Sequence, residues 1–187
     1  MAIEDITRFY HNDLVVADSC GMMTVFCNQQ ILCRQSVSDA CINFIQVEVD
    51  KTGNQVIVLS DDNGLVMGVL PSSELWKVNI NNTKLTKELG PKLTVKCVLS
   101  VDLTNSHGQR SSYIMVSDCH NHVYMLQQGT IVMVLETPAV ITAKIGDYPT
   151  TDWICSMNTI DLDNDGVKEV VVGCLDNSIH AIKVSPT

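Results

Sequence analysis

Four carboxylates stand close together near the C-terminal end of the chain: Asp161, Asp163, Asp165 and Glu169, in the run TIDLDNDGVKEVVVG. The aspartates alternate with Leu162 and Asn164, and Gly166 supplies a tight turn. Calcium is a hard cation that takes about six to eight oxygen ligands, and alternate carboxylates in a loop that turns at glycine can converge on one ion. The expected site is therefore calcium held by the side-chain oxygens of Asp161, Asp163, Asp165 and Glu169, with the Val167 carbonyl as a further ligand. A metal-free alternative stands beside it, in which the aspartates accept the loop's own amide hydrogens as Asx-turns. Crowded carboxylates repel one another and favour a cation, although exposed charges are well screened. An EF-hand is excluded, because its twelfth position falls on Val172 and β-type segments flank the loop where helices should be.

The elements that position this loop are strands. Upstream, Trp153 to Ile160 reads as one; downstream, Glu169 opens the β-branched run Val170, Val171, Val172. Asp176, Asn177 and Ser178 break the chain, and Ile179 to Val184 resumes an apolar and polar alternation.

That unit recurs. Asp5 to Val16 can be laid on Asp161 to Val172 without a gap, so that Asp13 falls at the place of Glu169, while Thr7 and Phe9 replace two of the acidic residues. After it come a turn at Asp18 to Gly21, a strand Met22 to Cys27, a turn at Asn28 to Gln30 and a strand Ile31 to Val37, giving the first unit four strands. A second copy runs Phe44 to Val49, a short loop Asp50 to Gln55, Val56 to Ser60, a turn Asp61 to Gly64, Leu65 to Leu70 and Leu75 to Ile80. A third runs Val95 to Val101, a long loop Asp102 to Ser112, Tyr113 to Ser117, a turn Asp118 to Asn121, His122 to Leu126 and Thr130 to Glu136. The anchors Asp5, Asp50, Asp102 and Asp161 lie 45, 52 and 59 residues apart, near the ~40–50 residues of a propeller blade. A four-stranded antiparallel sheet cannot bury both faces alone, and radial stacking does so. The expected fold is all-β: a partial β-propeller of about four four-stranded blades, with boundaries 1–42, 43–80, 94–138 and 139–187 and a connector at 81–93 that carries Gly90-Pro91. The last blade stops after its third strand, as a fragment, a short isoform or a half-propeller would. A helical solenoid is excluded for want of a 3.6-residue period, and a two-sheet sandwich is the runner-up.

The D-x-D-x-D-G-x-x-E loop followed by V-V-V-G, with a strand on either side, resembles the FG-GAP repeat of integrin-type β-propellers. LVVADSCGMMTVFCNQQIL and VIVLSDDNGLVMGVL resemble the same repeat with an eroded metal loop. The cysteine-bearing strands and the absence of a signal make the chain most similar to the intracellular integrin-alpha FG-GAP repeat-containing and kaptin families. That resemblance implies a non-enzymatic scaffold within a KICSTOR-like assembly, which tethers amino-acid signalling regulators to lysosomes, or within a BBSome-like trafficking complex.

Composition bounds the function classes. The chain of 187 residues is 45% hydrophobic, enough for a core, and its net charge of −9 makes phosphate-backbone binding unfavourable. Lys77, Lys84, Lys87, Lys92 and Lys96 form a local basic stretch that Glu74 and Glu88 interrupt, which reads as a solvated loop. No apolar run approaches the ~20 residues that span a bilayer, and MAIEDITRFYHND lacks the basic start and apolar stretch of a secretory signal. None of the 8 cysteines stands in a C-x-x-C pair, and most lie in apolar runs as reduced thiols do. A cytoplasmic protein with protein subunits as partners, no small-molecule substrate and no membrane insertion is expected. Asn81-Asn82-Thr83 is a formal glycosylation acceptor. It keeps in view an extracellular, integrin-like adhesive propeller, and an FG-GAP-bearing carbohydrate-active enzyme is a third class. Cys119-His120-Asn-His122 suggests zinc, but the spacing is wrong for a finger and the reading preferred is a hairpin turn with exposed histidine. Asp61-Asp62 and Asp147 are read as turn residues rather than an acid/base pair, and no G-x-S-x-G, P-loop or H-E-x-x-H occurs. Trp76 and Trp153 are expected to pack between blades.

Overall fold

Short apolar runs bounded by Asp, Asn and Gly become antiparallel strands throughout. The computed structural model describes residues 1–9, 11–50, 52–82, 93–104, 110–119, 122–136, 154–175 and 178–183. The strands are β1 (Ala2–Glu4), β2 (Asp13–Ala17), β3 (Met22–Cys27), β4 (Gln30–Ser36), β5 (Ile42–Val49), β6 (Gln55–Asp61), β7 (Leu65–Leu70), β8 (Ser73–Asn79), β9 (Val95–Thr104), β10 (Arg110–Asp118), β11 (His122–Gln127), β12 (Thr130–Glu136), β13 (Ile154–Ile160), β14 (Glu169–Cys174) and β15 (Ile179–Ile182). They form four sheets in simple sequence order: β1-β2-β3-β4, β5-β6-β7-β8, β9-β10-β11-β12 and the three-stranded β13-β14-β15. Among the described residues the last sheet thus has no fourth strand. A single 3-10 turn follows β8 at Ile80–Asn82, where the sequence suggested that the strand ran on to Ile80.

The sheets share one register. In each four-stranded sheet the third and fourth strands are joined by two residues: Asn28-Gln29, Pro71-Ser72 and Gln128-Gly129. Asn28, Gln29, Gln128 and Gly129 all have positive φ, as a type I′ hairpin requires. The pairing then skips one residue at the same place in all three sheets, namely Leu32, Leu75 and Val132. An extra residue on one strand bends it and leaves that residue unpaired.

The gapless overlay of Asp5 to Val16 on Asp161 to Val172 also holds in backbone geometry. Arg8 and Asn164, which it places together, have φ of 60° and 57°.

The chain divides into two compact units, Met1–Val95 and Lys96–Thr187. In the first, Val15, Met23 and Val25 of one sheet pack with Ile57, Leu59 and Met67 of the next. In the second, Met115, Val123 and Met125 pack with Ile154, Val170 and Val172. Val56, Ile57, Val58 and Leu59 are buried consecutively, so β6 is covered on both faces. A two-sheet sandwich would cover one face only. The fourth strands are different: β4 and β8 are largely exposed and lie at the edges of their sheets.

The loop expected at Asp102 to Ser112 is shorter than its sequence suggests, because β9 runs to Thr104 and β10 starts at Arg110. Polar pairs support the extension: Ser112 Oγ donates to Asp102 Oδ1 at 2.6 Å, and Arg110 meets Asp102 Oδ2 at 2.8 Å. Gly90-Pro91, Asp147, Trp153 and His120 lie outside the described residues.

Candidate functional site

The carboxylate loop joins β13 to β14. One oxygen each from Asp161, Asp163 and Glu169 lies within 4.8 Å of the others, so three of the four expected side chains converge. Asp161 spends both oxygens on the loop itself, taking the N–H of Asp165 at 3.1 Å and of Gly166 at 2.9 Å. Gly166, at φ 84°, permits that turn. Asp165 lies outside the converging group. Its Oδ1 accepts the Val167 N–H at 2.8 Å and its Oδ2 accepts from the Lys183 ammonium.

Lys183 had no role in the sequence reading. Its Nζ donates to Asp163 Oδ2 at 3.0 Å and to Asp165 Oδ2, and lies 3.5 Å from Glu169 Oε1. The bond to Asp165, then that to Asp163, raises the Lys183 pKa above its ordinary range, and the same bond holds Asp165 below the usual carboxylate range, helped by the Val167 amide. Glu169 is buried; its Oε2 accepts the Leu162 N–H at 2.9 Å.

The sister loops use the same positions differently. Asp13, buried at the place of Glu169, accepts the Thr7 N–H at 2.8 Å. Burial pushes its carboxyl up, but the Thr7 amide, with contacts from Cys27, the Thr7 hydroxyl and Ile6, outweighs burial and leaves it below the usual range. Cys27 is held above its ordinary thiol range, first by its bond to Asp13. In the second sheet Asp50 turns the loop on itself, accepting the N–H of Thr52 at 2.8 Å and of Asn54 at 2.7 Å. Arg8, from the first loop, donates to Gly53 O and to Asn54 Oδ1, tying the two loops together.

A second set of carboxylates anchors the turns between second and third strands. Asp18 Oδ1 accepts the N–H of Cys20 and Met22, Asp61 Oδ1 those of Asn63 and Leu65, and Asp118 Oδ1 that of His122. The turn reading of Asp61 therefore holds. Its Oδ2 also accepts from Ser38 Oγ at 2.5 Å, which links the first two sheets. In the third sheet His122 differs from expectation. His122 is buried rather than exposed: its Nδ1 lies 2.8 Å from Asp118 Oδ2, which also accepts the Tyr124 hydroxyl at 2.6 Å. A buried carboxylate needs partners, and the histidine supplies one. The signal was the aspartate four residues before the next strand, repeated at Asp18, Asp61 and Asp118. Tyr124 is pushed above its ordinary pKa by burial and then by this bond.

Trp76 has a partner within its own blade. It lies across Gly68 in its own sheet, where a Cβ on Gly68 would come within 2.4 Å of the indole. Asn81 is a clamp: its Nδ2 donates to Leu93 O at 2.9 Å and Asn63 O at 3.0 Å, and its Oδ1 accepts the Leu93 N–H at 2.7 Å. All eight cysteines are unbridged.

Neither a family model nor any curated protein matches the chain. Solved structures do. The chain is similar to the crystal structure of BBS1N in complex with ARL6DN, at TM-score 0.69 and 11% identity over 97% of this chain and 52% of that one. It is also similar to the WD40 β-propeller domain of Doa1, at TM-score 0.60 and 15% identity over 96% of this chain and 49% of that one. The computationally designed Ika8 protein matches at TM-score 0.63 and 11% identity, over 94% of this chain and 44% of that one. The fold is that of part of a β-propeller. The chain spans about half the length of the structures it matches. Among the described residues no helix is long and apolar enough to cross a membrane.

Proposed function

We propose that the chain is a non-enzymatic interaction scaffold built on FG-GAP-type blades, a subunit or part of a subunit of an intracellular multiprotein complex. One repeated surface feature carries the reading. The residue that the pairing skips in each complete blade is apolar and exposed: Leu32 at 48%, Leu75 at 45% and Val132 at 45%. Each sits in the edge strand of its sheet. Water disfavours such side chains, and apolar groups fixed at one register on an edge can be received by another protein's apolar surface.

A trafficking complex of the BBSome kind is supported by the likeness to BBS1N, which was crystallised with ARL6DN. A nutrient-signalling assembly of the KICSTOR kind, with its peripheral tie to the lysosome, rests on the FG-GAP resemblance of the sequence. The integrin-like extracellular reading is weakened by Asn81, whose side-chain amide is already taken by Leu93 and Asn63. Attaching a glycan there would remove one of those donors.

The test is the full-length protein carrying Leu32→Ser, Leu75→Ser and Val132→Ser, affinity-purified from its native cells. Loss of stoichiometric partner subunits with an unchanged melting temperature supports docking through these edges. Retention of the same partners by the triple variant sinks it.

A further inference from the structure

The acidic loop between β13 and β14 holds a cation of its own. Glu169 is 6% exposed, its Oε2 is taken by the Leu162 amide, and its Oε1 makes no hydrogen bond within the protein. That buried oxygen faces the Lys183 ammonium at 3.5 Å, and the same ammonium bonds Asp163 and Asp165. Three of the four carboxylates expected to ligate calcium therefore already share one positive charge.

Comparison of the blades explains why a lysine stands there. Val170 pairs with Ile182 across β14 and β15, so one step outward Glu169 stands opposite Lys183. In the first sheet Leu14 pairs with Phe26, which sets Asp13 opposite Cys27. The corresponding pairs are Val56 with Leu70 and Tyr113 with Gln127. The lysine thus occurs in the one blade that keeps the acidic loop, whereas the blade with Thr7 and Phe9 at the places of Asp163 and Asp165 has a neutral thiol. Repeats that differ in both features together point to charge compensation across the strand pair.

We propose that Lys183 is the built-in counter-cation of this loop. It stands against the oxygens a divalent ion would need, so the loop folds without calcium, and removal of the lysine charge converts the loop into a calcium site. Calcium entry into the native loop requires breaking the Lys183 bonds to Asp163 and Asp165. Once the ammonium is gone, the buried Glu169 oxygen and its neighbours repel one another and gain from an oxygen-seeking ion.

The experiment is calcium chloride titration by calorimetry, with parallel thermal melts in calcium and in chelator. The proteins are wild type, Lys183→Met, Lys183→Gln and Lys183→Arg. Wild type and Lys183→Arg are expected to show no saturable binding and no shift in melting at millimolar calcium. Lys183→Met and Lys183→Gln are expected to bind one calcium at least tenfold more tightly than wild type and to melt higher with it. Adding Asp163→Asn to Lys183→Met should abolish the gain. Wild-type protein that binds calcium as tightly as the Met variant overturns the proposal, as do folded Met and Gln variants that gain no binding. The wild-type titration stands by itself if the variants do not fold, since saturable calcium binding by wild type contradicts a lysine-filled site.

Discussion

Replacing Asp61 tests how much of the blade architecture rests on one buried carboxylate. Its Oδ1 accepts the N–H of Asn63 at 2.8 Å and of Leu65 at 2.9 Å, and its Oδ2 accepts from Ser38 of the preceding sheet. Asp61→Ala removes both acceptor oxygens and all three hydrogen bonds at a site that is 2% exposed. Hydrogen bonds to a charged group contribute about 1.5–3 kcal/mol each, and buried donors left unmade carry a further cost. Water can reach the exposed Asn63 amide and relieve part of the loss. The net expectation is a destabilisation of about 3–5 kcal/mol, or a fall of roughly 10 °C in melting temperature for a chain of this length. Asp61→Asn is the control. It keeps Oδ1 for both amides, and its Nδ2 can donate to Ser38 Oγ, so the cost should be about 1 kcal/mol. The assay is urea unfolding followed by circular dichroism, with thermal melts alongside. An alanine variant as stable as wild type would refute the anchor role. An asparagine variant as unstable as alanine would show that charge, not acceptor geometry, holds the turn.

Gly68→Ala places a Cβ 2.4 Å from the Trp76 ring and should cost about 1–3 kcal/mol through overpacking. A double-mutant cycle with Trp76→Leu should recover most of that loss, and simple additivity would contradict the packing. Tyr124→Phe removes the hydroxyl donor to Asp118 and should cost about 1–3 kcal/mol near neutral pH. Because the folded Tyr124 pKa lies above that of an unfolded tyrosine, its contribution is intact below about pH 10 and is lost as pH rises further. Wild-type stability should therefore fall more steeply above pH 10 than that of Tyr124→Phe, as chemical unfolding at a series of alkaline pH values would show.

The strands were legible because their polar boundaries and apolar alternation sit in local sequence, as in VIVLSDDNGLVMGVL. The overlay of Asp5 to Val16 on the acidic loop was legible for the same reason, and the matched φ of Arg8 and Asn164 bears it out. What local pattern could not show was partnership between strands. Lys183 follows Ile182 at the end of β15, 14 residues beyond Glu169, and only the antiparallel register brings the two face to face. The partnership of Trp76 with Gly68 likewise follows only from the register of β7 and β8. His122 looked exposed because a turn precedes it, yet the turn aspartate draws it inward. The extension of β9 and β10 rests on polar pairs at Asp102, which carry no apolar signal.

The proposed scaffold role requires the chain to work as part of a larger assembly. The most direct measurement is the native size of the untagged protein at its endogenous concentration, by gradient sedimentation of a gently prepared extract with identification of co-migrating subunits. A scaffold subunit is expected in a discrete assembly far larger than the 20.6 kDa chain, with partners in fixed ratio. A protein that sediments alone as a monomer would contradict it.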